Sequence, residues 1–230
     1  MLKVFIGFDE RETIAWHVLA NSILEHSREP VSLVPLNLGN LKSIDFQKVD
    51  KRASNAFSYS RFLVPFLCNF EGNAVFMDCD MLLTTDLNKV FDQVSVNNKA
   101  VHVVKHDYVS KVTEKYLGNK QENYPRKNWS SFIVWNCSHE KNRVLTPSYI
   151  KEASPAHLHR FLWLEDEEIG ELDRIWNWLV TEYETEDLKE KPKNIHWTLG
   201  GPYFDEYRDS DYADEWRKQL EKTLRVDQHE

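Results

Sequence analysis

The chain has 230 residues, a formal net charge of −8, 41% hydrophobic residues and 13% aromatic residues. This length and composition predict one domain of ordinary to large size with a substantial core. The negative charge argues against a nucleic-acid partner, because such proteins neutralise phosphates with clustered Lys and Arg. The three cysteines are widely spaced and form no CxxC pair. They therefore favour free thiols in a reducing compartment over a zinc knuckle or a disulfide framework.

The opening of the chain has no recognisable secretory signal. Its apolar run, MLKVFIGF, is short and is ended by the charged residues 9–12. No run approaches the roughly 18 apolar residues of a membrane span. We therefore expect a soluble, cytoplasmic protein without a transmembrane segment.

The first residues have the pattern of a β-α-β unit. Residues 2–7 (LKVFIG) predict a buried strand, and residues 15, 18, 19, 22 and 23 share one face of a predicted helix. Pro30 ends that helix, and residues 31–36 (VSLVPL) predict a second strand.

The middle of the chain alternates polar segments with strands. Residues 37–54 are polar and predicted to be irregular, and a helix divided by Pro65 is predicted from Asn55 onward. The further elements are strands at 73–77, 99–106 and 130–136, a polar segment at 107–128, more helical and acidic sequence beyond 138, a late strand at 194–198 and an amphipathic helix at 211–225. This order predicts an α/β domain.

The stretch AVFMDCDMLL, residues 74–83, places Asp78 and Asp80 at the carboxyl end of a predicted strand. Ligands of open α/β sheets bind at such ends. Two carboxylates one residue apart point to the same side of an extended chain, and they suit Mg²⁺ or Mn²⁺ better than zinc. An aspartate-rich turn after a strand is the alternative interpretation, and the spacing alone does not exclude it.

The ordered series of segments resembles the retaining glycosyltransferases of the GT-A fold, specifically glycosyltransferase family 8 and its relatives. The resemblance extends over most of the chain and is carried by VFIGFDERETIAWHVLANSILEHS, FSYSRFLVPFL, the DxD-bearing VFMDCDMLLTTDL, WSSFIVWNCS and NIHWTLGGP. It implies a Rossmann-like nucleotide-diphospho-sugar transferase fold with a mixed central sheet flanked by helices. Residues 1–230 would form a single domain, with a nucleotide-sugar and metal half at 1–105 and an acceptor half at 106–230.

The resemblance also implies a set of site residues. Asp78, Asp80 and His196 would hold Mn²⁺ or Mg²⁺ against the diphosphate of a nucleotide-sugar, although a core histidine is the competing interpretation of His196. The residues implied to contact the donor are Phe8, Asp9, Arg11, Ser58, Arg61, Asp78, Cys79, Gly200 and Gly201.

Several of these donor contacts have simpler interpretations. Asp9 fits an ordinary turn before a helix, and Arg11 and Arg61 fit solvated surface positions. Family members often carry a lysine a few residues after the histidine, but this chain has Gly-Gly-Pro-Tyr-Phe there. The backbone amides of Gly200 and Gly201, or Tyr203, would then contact the diphosphate instead.

The resemblance implies that Asp166 and Glu167, together with Arg61, act near the reacting carbon. A run of acidic residues is more simply a solvated face. Trp163, Trp176 and Asn177 would line an acceptor site, with core packing as the alternative.

The predicted function is a metal-dependent glycosyltransferase that transfers a hexose from UDP-glucose or UDP-galactose to a carbohydrate or other hydroxyl acceptor with retention of configuration. A sugar nucleotidyltransferase and a non-catalytic nucleotide-sugar or glycan-binding module are the alternatives. The first of these normally has a Gly-rich basic loop after the first strand, where this chain has GFDERE.

Overall fold

The computed structural model describes residues 1–46, 55–94, 99–110, 112, 114–120, 123–185 and 188–225. The strands within these ranges are β1 Leu2–Gly7, β2 Val31–Leu36, β3 Asn73–Met77, β4 Met81–Leu83, β5 Val101–Val104, β6 Glu114–Lys115, β7 Asn119–Lys120, β8 Phe132–Asn136, β9 Ile169–Leu172, β10 Trp178–Leu179 and β11 Asn194–His196. The α-helices are α1 Thr13–His26, α2 Val64–Leu67, α3 Pro147–Glu152, α4 Pro155–His159 and α5 Ala213–Leu224.

A six-stranded mixed sheet with the order β2-β1-β3-β8-β5-β9 forms the centre of the fold. β1 is parallel to β2 and β3, whereas β8 is antiparallel to β3 and β5, and β9 is parallel to β5. All strands except β8 therefore run in one direction, and their carboxyl ends meet at one edge of the sheet. This arrangement confirms the predicted α/β class with a mixed sheet.

A smaller sheet of order β10-β11-β4 lies beside that edge. β4 follows the DxD stretch directly and pairs antiparallel with β11, with His196 opposite Met81. The N–H of Trp197 also donates to the carbonyl oxygen of Asp80 at 3.0 Å. This ladder fixes the end of β11 against the DxD stretch, although the two segments are far apart in the chain.

The helix predicted near the start is α1, and its predicted face is the buried one. Its side chains pack on the central sheet, whose strands β1, β3, β5 and β8 have almost entirely buried side chains. The amphipathic helix predicted at the end is α5, which packs Trp216 into a second cluster with Trp178 and Trp197.

The structure differs from the sequence-based expectations in several elements, and the short strands β4 and β10 were also not predicted. The helix expected from Asn55 is a short 3-10 helix, Ser60–Leu63, followed by the single turn of α2, because Pro65 lies in its first turn. β9 was not predicted, since its residues follow an acidic run and alternate too briefly. The polar segment 107–128 contains the two-residue pair β6 and β7.

Residues 47–54 of the segment predicted as irregular, residues 111, 113 and 121–122 of the polar segment 107–128, and residues 226–230 lie outside the described part of the chain. Within the described part, no helix has both the length and the apolar composition needed to cross a bilayer.

Candidate active site

The two aspartates of the DxD stretch and the distant His196 meet at the carboxyl edge of the central sheet. Asp78, Asp80 and His196 each offer one ligand atom, and these atoms lie within 4.8 Å of one another. His196 Nε2 is 3.3 Å from Asp80 Oδ1. Asp78 and Asp80 lie in the short connection between β3 and β4, and the pairing of β11 with β4 brings the histidine to them.

The ligand atoms of these three side chains suit a divalent cation. Asp78 Oδ1 and Asp80 Oδ1 are buried and have no hydrogen-bond partner within the described residues. Buried carboxylate oxygens without donors are costly, and a cation would satisfy both of them. Two carboxylates with one imidazole suit Mg²⁺ or Mn²⁺, because hard oxygen ligands dominate the set.

The Nδ1 side of the His196 ring, opposite the proposed ligand atom, contacts Asn177. Its Nδ1 lies 2.8 Å from Asn177 Oδ1, and both residues are almost completely buried. Because an amide oxygen can only accept a hydrogen bond, the proton of the imidazole lies on Nδ1 and Nε2 carries a free lone pair. That lone pair faces Asp80, as a metal ligand requires.

Arg61 lies beside Asp78 at the same edge of the sheet. Its Nη1 is 2.9 Å from Asp78 Oδ1, but the geometry is not that of a hydrogen bond, and the same nitrogen donates to Ser130 O at 2.8 Å. The guanidinium is enclosed by the rings of Phe57 and Phe76, 5.3 and 4.9 Å from its carbon. Burial raises the pKa of Asp78, and the charge of Arg61 opposes that rise.

A further buried carboxylate, that of Glu12, was not predicted. Tyr203 donates to its Oε1 at 2.6 Å and Tyr116 donates to its Oε2 at 3.1 Å. Burial, reinforced by the charge of Asp80, raises the pKa of Glu12 to about 8. Glu12 immediately precedes α1 and continues the apolar face that contains Ala15 and Leu19. A charged residue on an apolar helix face is the sequence signal that could have indicated a site role for Glu12.

Lys115 is the cation that the sequence analysis missed. It ends β6, and Tyr116 N donates to Leu199 O at 2.8 Å, which fixes this segment next to the end of the histidine motif. Burial lowers the pKa of Lys115. The negative charges of Asp80, Asp78 and Glu12 oppose this shift but do not cancel it. No local pattern in the polar segment indicated this position.

The residues predicted at the end of β1 are present at the same edge but are largely occupied. Asp9 Oδ1 accepts from the backbone N and Nε of Arg11 at 3.0 and 2.9 Å, and Oδ2 accepts from Arg11 Nη2 at 2.6 Å and from Ala56 N at 3.0 Å. Asp9 thus caps the turn that precedes α1. Phe8 is half-buried and packs edge-on against Trp16, with ring centroids 6.5 Å apart.

Ser58 and Cys79 also lie near this edge. Ser58 donates to Asn55, 2.9 Å from its Oδ1, within the turn before the Arg61 segment. Cys79 lies between the two aspartates with its side chain in the hydrophobic core. Burial, together with the surrounding carboxylates, raises the pKa of its thiol. Such a thiol is a poor nucleophile.

Gly200 and Gly201 make room for tyrosine rings. A Cβ on Gly200 would lie 2.4 Å from the ring of Tyr207, and one on Gly201 would lie 2.2 Å from the ring of Tyr203. The N–H of Gly200 donates to Trp197 O at 3.0 Å. These two glycines therefore allow tyrosine rings of the same chain to pack closely against the backbone.

The structure does not bring Asp166 and Glu167 to the carboxylate edge. They belong to a turn that precedes β9, and Ile169 of β9 pairs with Val101 at the start of β5, on the opposite edge of the sheet. Asp166 is exposed and forms an ion pair with Arg126. The catalytic role predicted for these two residues has no geometric support.

The predicted acceptor residues are mostly core residues. Trp176 and Asn177 are 0% exposed. Trp163 is half-buried and stacks on Trp135 with a centroid distance of 6.4 Å. Trp176 is therefore packed in the core, and Asn177 contacts His196.

No protein-family model matches the chain. A curated relative, "Protein CDI" of Arabidopsis thaliana, is 40% identical over 224 residues, which cover 96% of this chain and 86% of the relative. The chain belongs to the family of this protein. The name of the relative states no activity, so this membership alone assigns none.

Comparison with solved structures shows the fold of this chain. It is similar to the LgtC galactosyltransferase in complex with donor and acceptor sugar analogues (TM-score 0.60, 9% identity, 99% of this chain and 98% of that chain). It is also similar to WbbM, a bifunctional glycosyltransferase (0.62, 20%, 97% and 50%), and to GlyE of Streptococcus pneumoniae TIGR4 (0.63, 12%, 98% and 60%). The chain spans about half the length of WbbM. These structures establish a GT-A fold for the chain.

Proposed function

We propose that this protein is a metal-dependent glycosyltransferase. It transfers a hexose from a nucleotide-sugar, UDP-glucose or UDP-galactose, to an acceptor hydroxyl with retention of configuration. The observation that carries the proposal is the convergence of Asp78, Asp80 and His196, with unsatisfied carboxylate oxygens, at the ligand-binding edge of a GT-A fold.

The cluster provides what the leaving group needs. Asp78, Asp80 and His196 would hold Mn²⁺ or Mg²⁺, and the cation would stabilise the charge that develops on the departing diphosphate. Transfer breaks the bond between the anomeric carbon and the diphosphate oxygen, and it forms a bond from that carbon to the acceptor oxygen. The proton of the acceptor hydroxyl passes to the released diphosphate or to solvent, so that the products are the glycoside and UDP.

Arg61 and Lys115 supply fixed positive charge on the protein side. Arg61 offsets the charge of Asp78, which keeps that carboxylate available as a ligand in a buried position. Lys115 interacts electrostatically with the carboxylates of Asp80, Asp78 and Glu12, and we infer that it would donate to the diphosphate. It would thereby replace the lysine that related enzymes carry after the histidine.

Release of UDP from UDP-glucose and UDP-galactose with Mn²⁺ tests the proposal. We expect Asp80→Asn to lower the rate by at least about 100-fold, the loss typical of removing a group that stabilises developing charge. Asp86→Asn is the matched control, because Asp86 is another buried aspartate but caps a turn through Asn88 N at 3.0 Å. It should retain UDP release.

Three results contradict the proposal. Equal UDP release by the wild type and Asp80→Asn removes the metal role. Nucleotide release that requires pyrophosphate indicates a sugar nucleotidyltransferase. Tight donor binding without turnover, for every acceptor screened with Mn²⁺ present, indicates a binding module.

A further inference from the structure

A chain of polar side chains, most of them buried, extends from His196 away from the two aspartates. Asn177 contacts His196 through its oxygen, and its Nδ2 is 2.9 Å from His106 Nε2 and 2.8 Å from Ser131 Oγ. His106 Nδ1 in turn lies 2.5 Å from the hydroxyl of Tyr183. The proposed function assigns these residues no direct contact with a substrate.

One backbone carbonyl fixes the direction of every hydrogen bond in this chain. Ser131 Oγ donates its only proton to the carbonyl oxygen of Asn128 at 2.7 Å. Ser131 Oγ can therefore only accept from Asn177, so the amide nitrogen of Asn177 must face it. The same nitrogen is 3.4 Å from the Asn128 oxygen. The amide oxygen then faces His196, which must carry its proton on Nδ1.

The opposite orientation of the amide would be unfavourable. It would direct the Asn177 oxygen at Ser131 Oγ and at the Asn128 carbonyl oxygen, which leaves buried lone pairs facing one another without protons. It would also make His196 accept a hydrogen bond at Nδ1, so that an N–H on Nε2 would point at Asp80. A cation cannot bind a nitrogen that carries a proton.

We propose that Ser131 and Asn177 are positioning residues that select the Nδ1–H tautomer of His196 and thereby preform the imidazole as a metal ligand. This inference rests on the proposed metal site, but it concerns the protein before metal or substrate binds. The same chain makes Nε2 of His106 an acceptor and places the proton of that ring on Nδ1, toward Tyr183.

The tautomer is measured directly by NMR on the metal-free protein with ¹⁵N-labelled histidine at pH 8, with the His196 signals assigned from a His196→Gln variant. We expect a protonated Nδ1 and an unprotonated Nε2 in the wild type. Asn177→Leu removes the acceptor of the Nδ1 proton and should shift His196 toward the Nε2–H tautomer. Ser131→Ala is a milder variant that keeps the amide, and it should shift the tautomer in the same direction.

Mn²⁺ affinity, measured by electron paramagnetic resonance without donor or acceptor, is the second readout. We expect it to fall about 10–100-fold in Asn177→Leu, the loss typical of removing the partner of a ligating histidine. Ser131→Ala should lose about 2–10-fold, the size of one neutral hydrogen bond. Asn142→Ala is the matched control, because Asn142 is also 0% exposed and donates to Ala100 O and Asn136 O at 2.9 Å. Its Mn²⁺ affinity should equal that of the wild type.

An Nε2–H tautomer in the metal-free wild type overturns the inference, and so does wild-type Mn²⁺ affinity in Asn177→Leu. Both readouts are independent of turnover. A protein that shows the expected tautomers and affinities but releases no UDP would contradict the proposed function and leave this inference supported.

Discussion

The guanidinium of Arg61 and the carboxylate of Asp78 form an ion pair whose side chains are only 4% and 11% exposed, with Nη1 2.9 Å from Oδ1. Asp78 is also one of the three proposed ligands of the cation. A carboxylate buried this deeply needs a nearby positive charge, and Arg61 provides it before any metal binds.

Replacement of Arg61 by methionine should therefore weaken both folding and metal binding. Asp78 would remain buried without its cation, at a cost of about 3–5 kcal/mol in the free energy of unfolding. Urea unfolding and Mn²⁺ titration measure the two effects. Arg217→Met is the comparison, because Arg217 pairs with the exposed Asp214 and surface pairs contribute little. Equal stability of the two variants would contradict the importance of the buried pair.

Lys115→Met should weaken the binding of UDP in the presence of Mn²⁺. A charge-assisted hydrogen bond to a phosphate contributes about 1.5–3 kcal/mol, which corresponds to about 10–150-fold in affinity. Calorimetry with UDP measures the change, and Lys115→Arg should recover part of it. Lys99→Met serves as the control, because Lys99 donates to the carbonyl of Glu167 on the far edge of the sheet. Unchanged UDP affinity in Lys115→Met would exclude this contact.

Gly201→Ala should disturb the site through Tyr203. The added Cβ would lie 2.2 Å from the Tyr203 ring, so the ring must move, and its hydrogen bond to Glu12 would be lost. Overpacking of this kind costs about 1–3 kcal/mol in unfolding free energy. Gly39→Ala meets only the side-chain oxygen of Asn37, at 3.1 Å, and should be close to neutral. Similar thermal unfolding of both variants would argue against this packing.

The buried histidines should make the protein less stable in acid. Burial lowers the pKa of His102 to about 4 and that of His106 to about 3, from 6.5 in the unfolded chain. The unfolded chain binds more protons below pH 6.5, so this stability is present above that pH and is lost as pH falls toward 4. Each histidine contributes up to about 1.4 kcal/mol per pH unit.

The comparison of His102→Leu with the wild type isolates one of these contributions. Unfolding free energies from urea titrations between pH 7.5 and 4.5 should decline less steeply in the variant. Parallel declines would show that His102 does not titrate differently in the folded and unfolded states.

Asp166→Asn should leave UDP release within about twofold of the wild type. Its carboxylate is exposed and pairs with Arg126, and such surface pairs contribute about 0–1 kcal/mol. Asp80→Asn, assayed alongside it, supplies the contrasting loss. A loss in Asp166→Asn as large as that in Asp80→Asn would restore the catalytic role that the sequence suggested.

The sequence by itself determined the local elements and half of the candidate site. Runs of apolar residues indicated β1, β2 and β3, and the helical period of apolar residues indicated α1, because apolar patterns mark the parts of the chain that pack into the core. The two aspartates of the DxD stretch were also evident, since carboxylates at the end of a buried strand need an external partner.

Only the tertiary structure decided the rest of the site. His196 was predicted from a resemblance, but its ligand nitrogen depends on Asn177 and Ser131, which the sheet brings behind it. Lys115 lies in a polar segment without apolar periodicity. Asp166 precedes β9, and the register of β9 places it at the edge of the sheet opposite the aspartates. Local patterns record which face of an element is buried, whereas the pairing of distant strands determines which side chains meet.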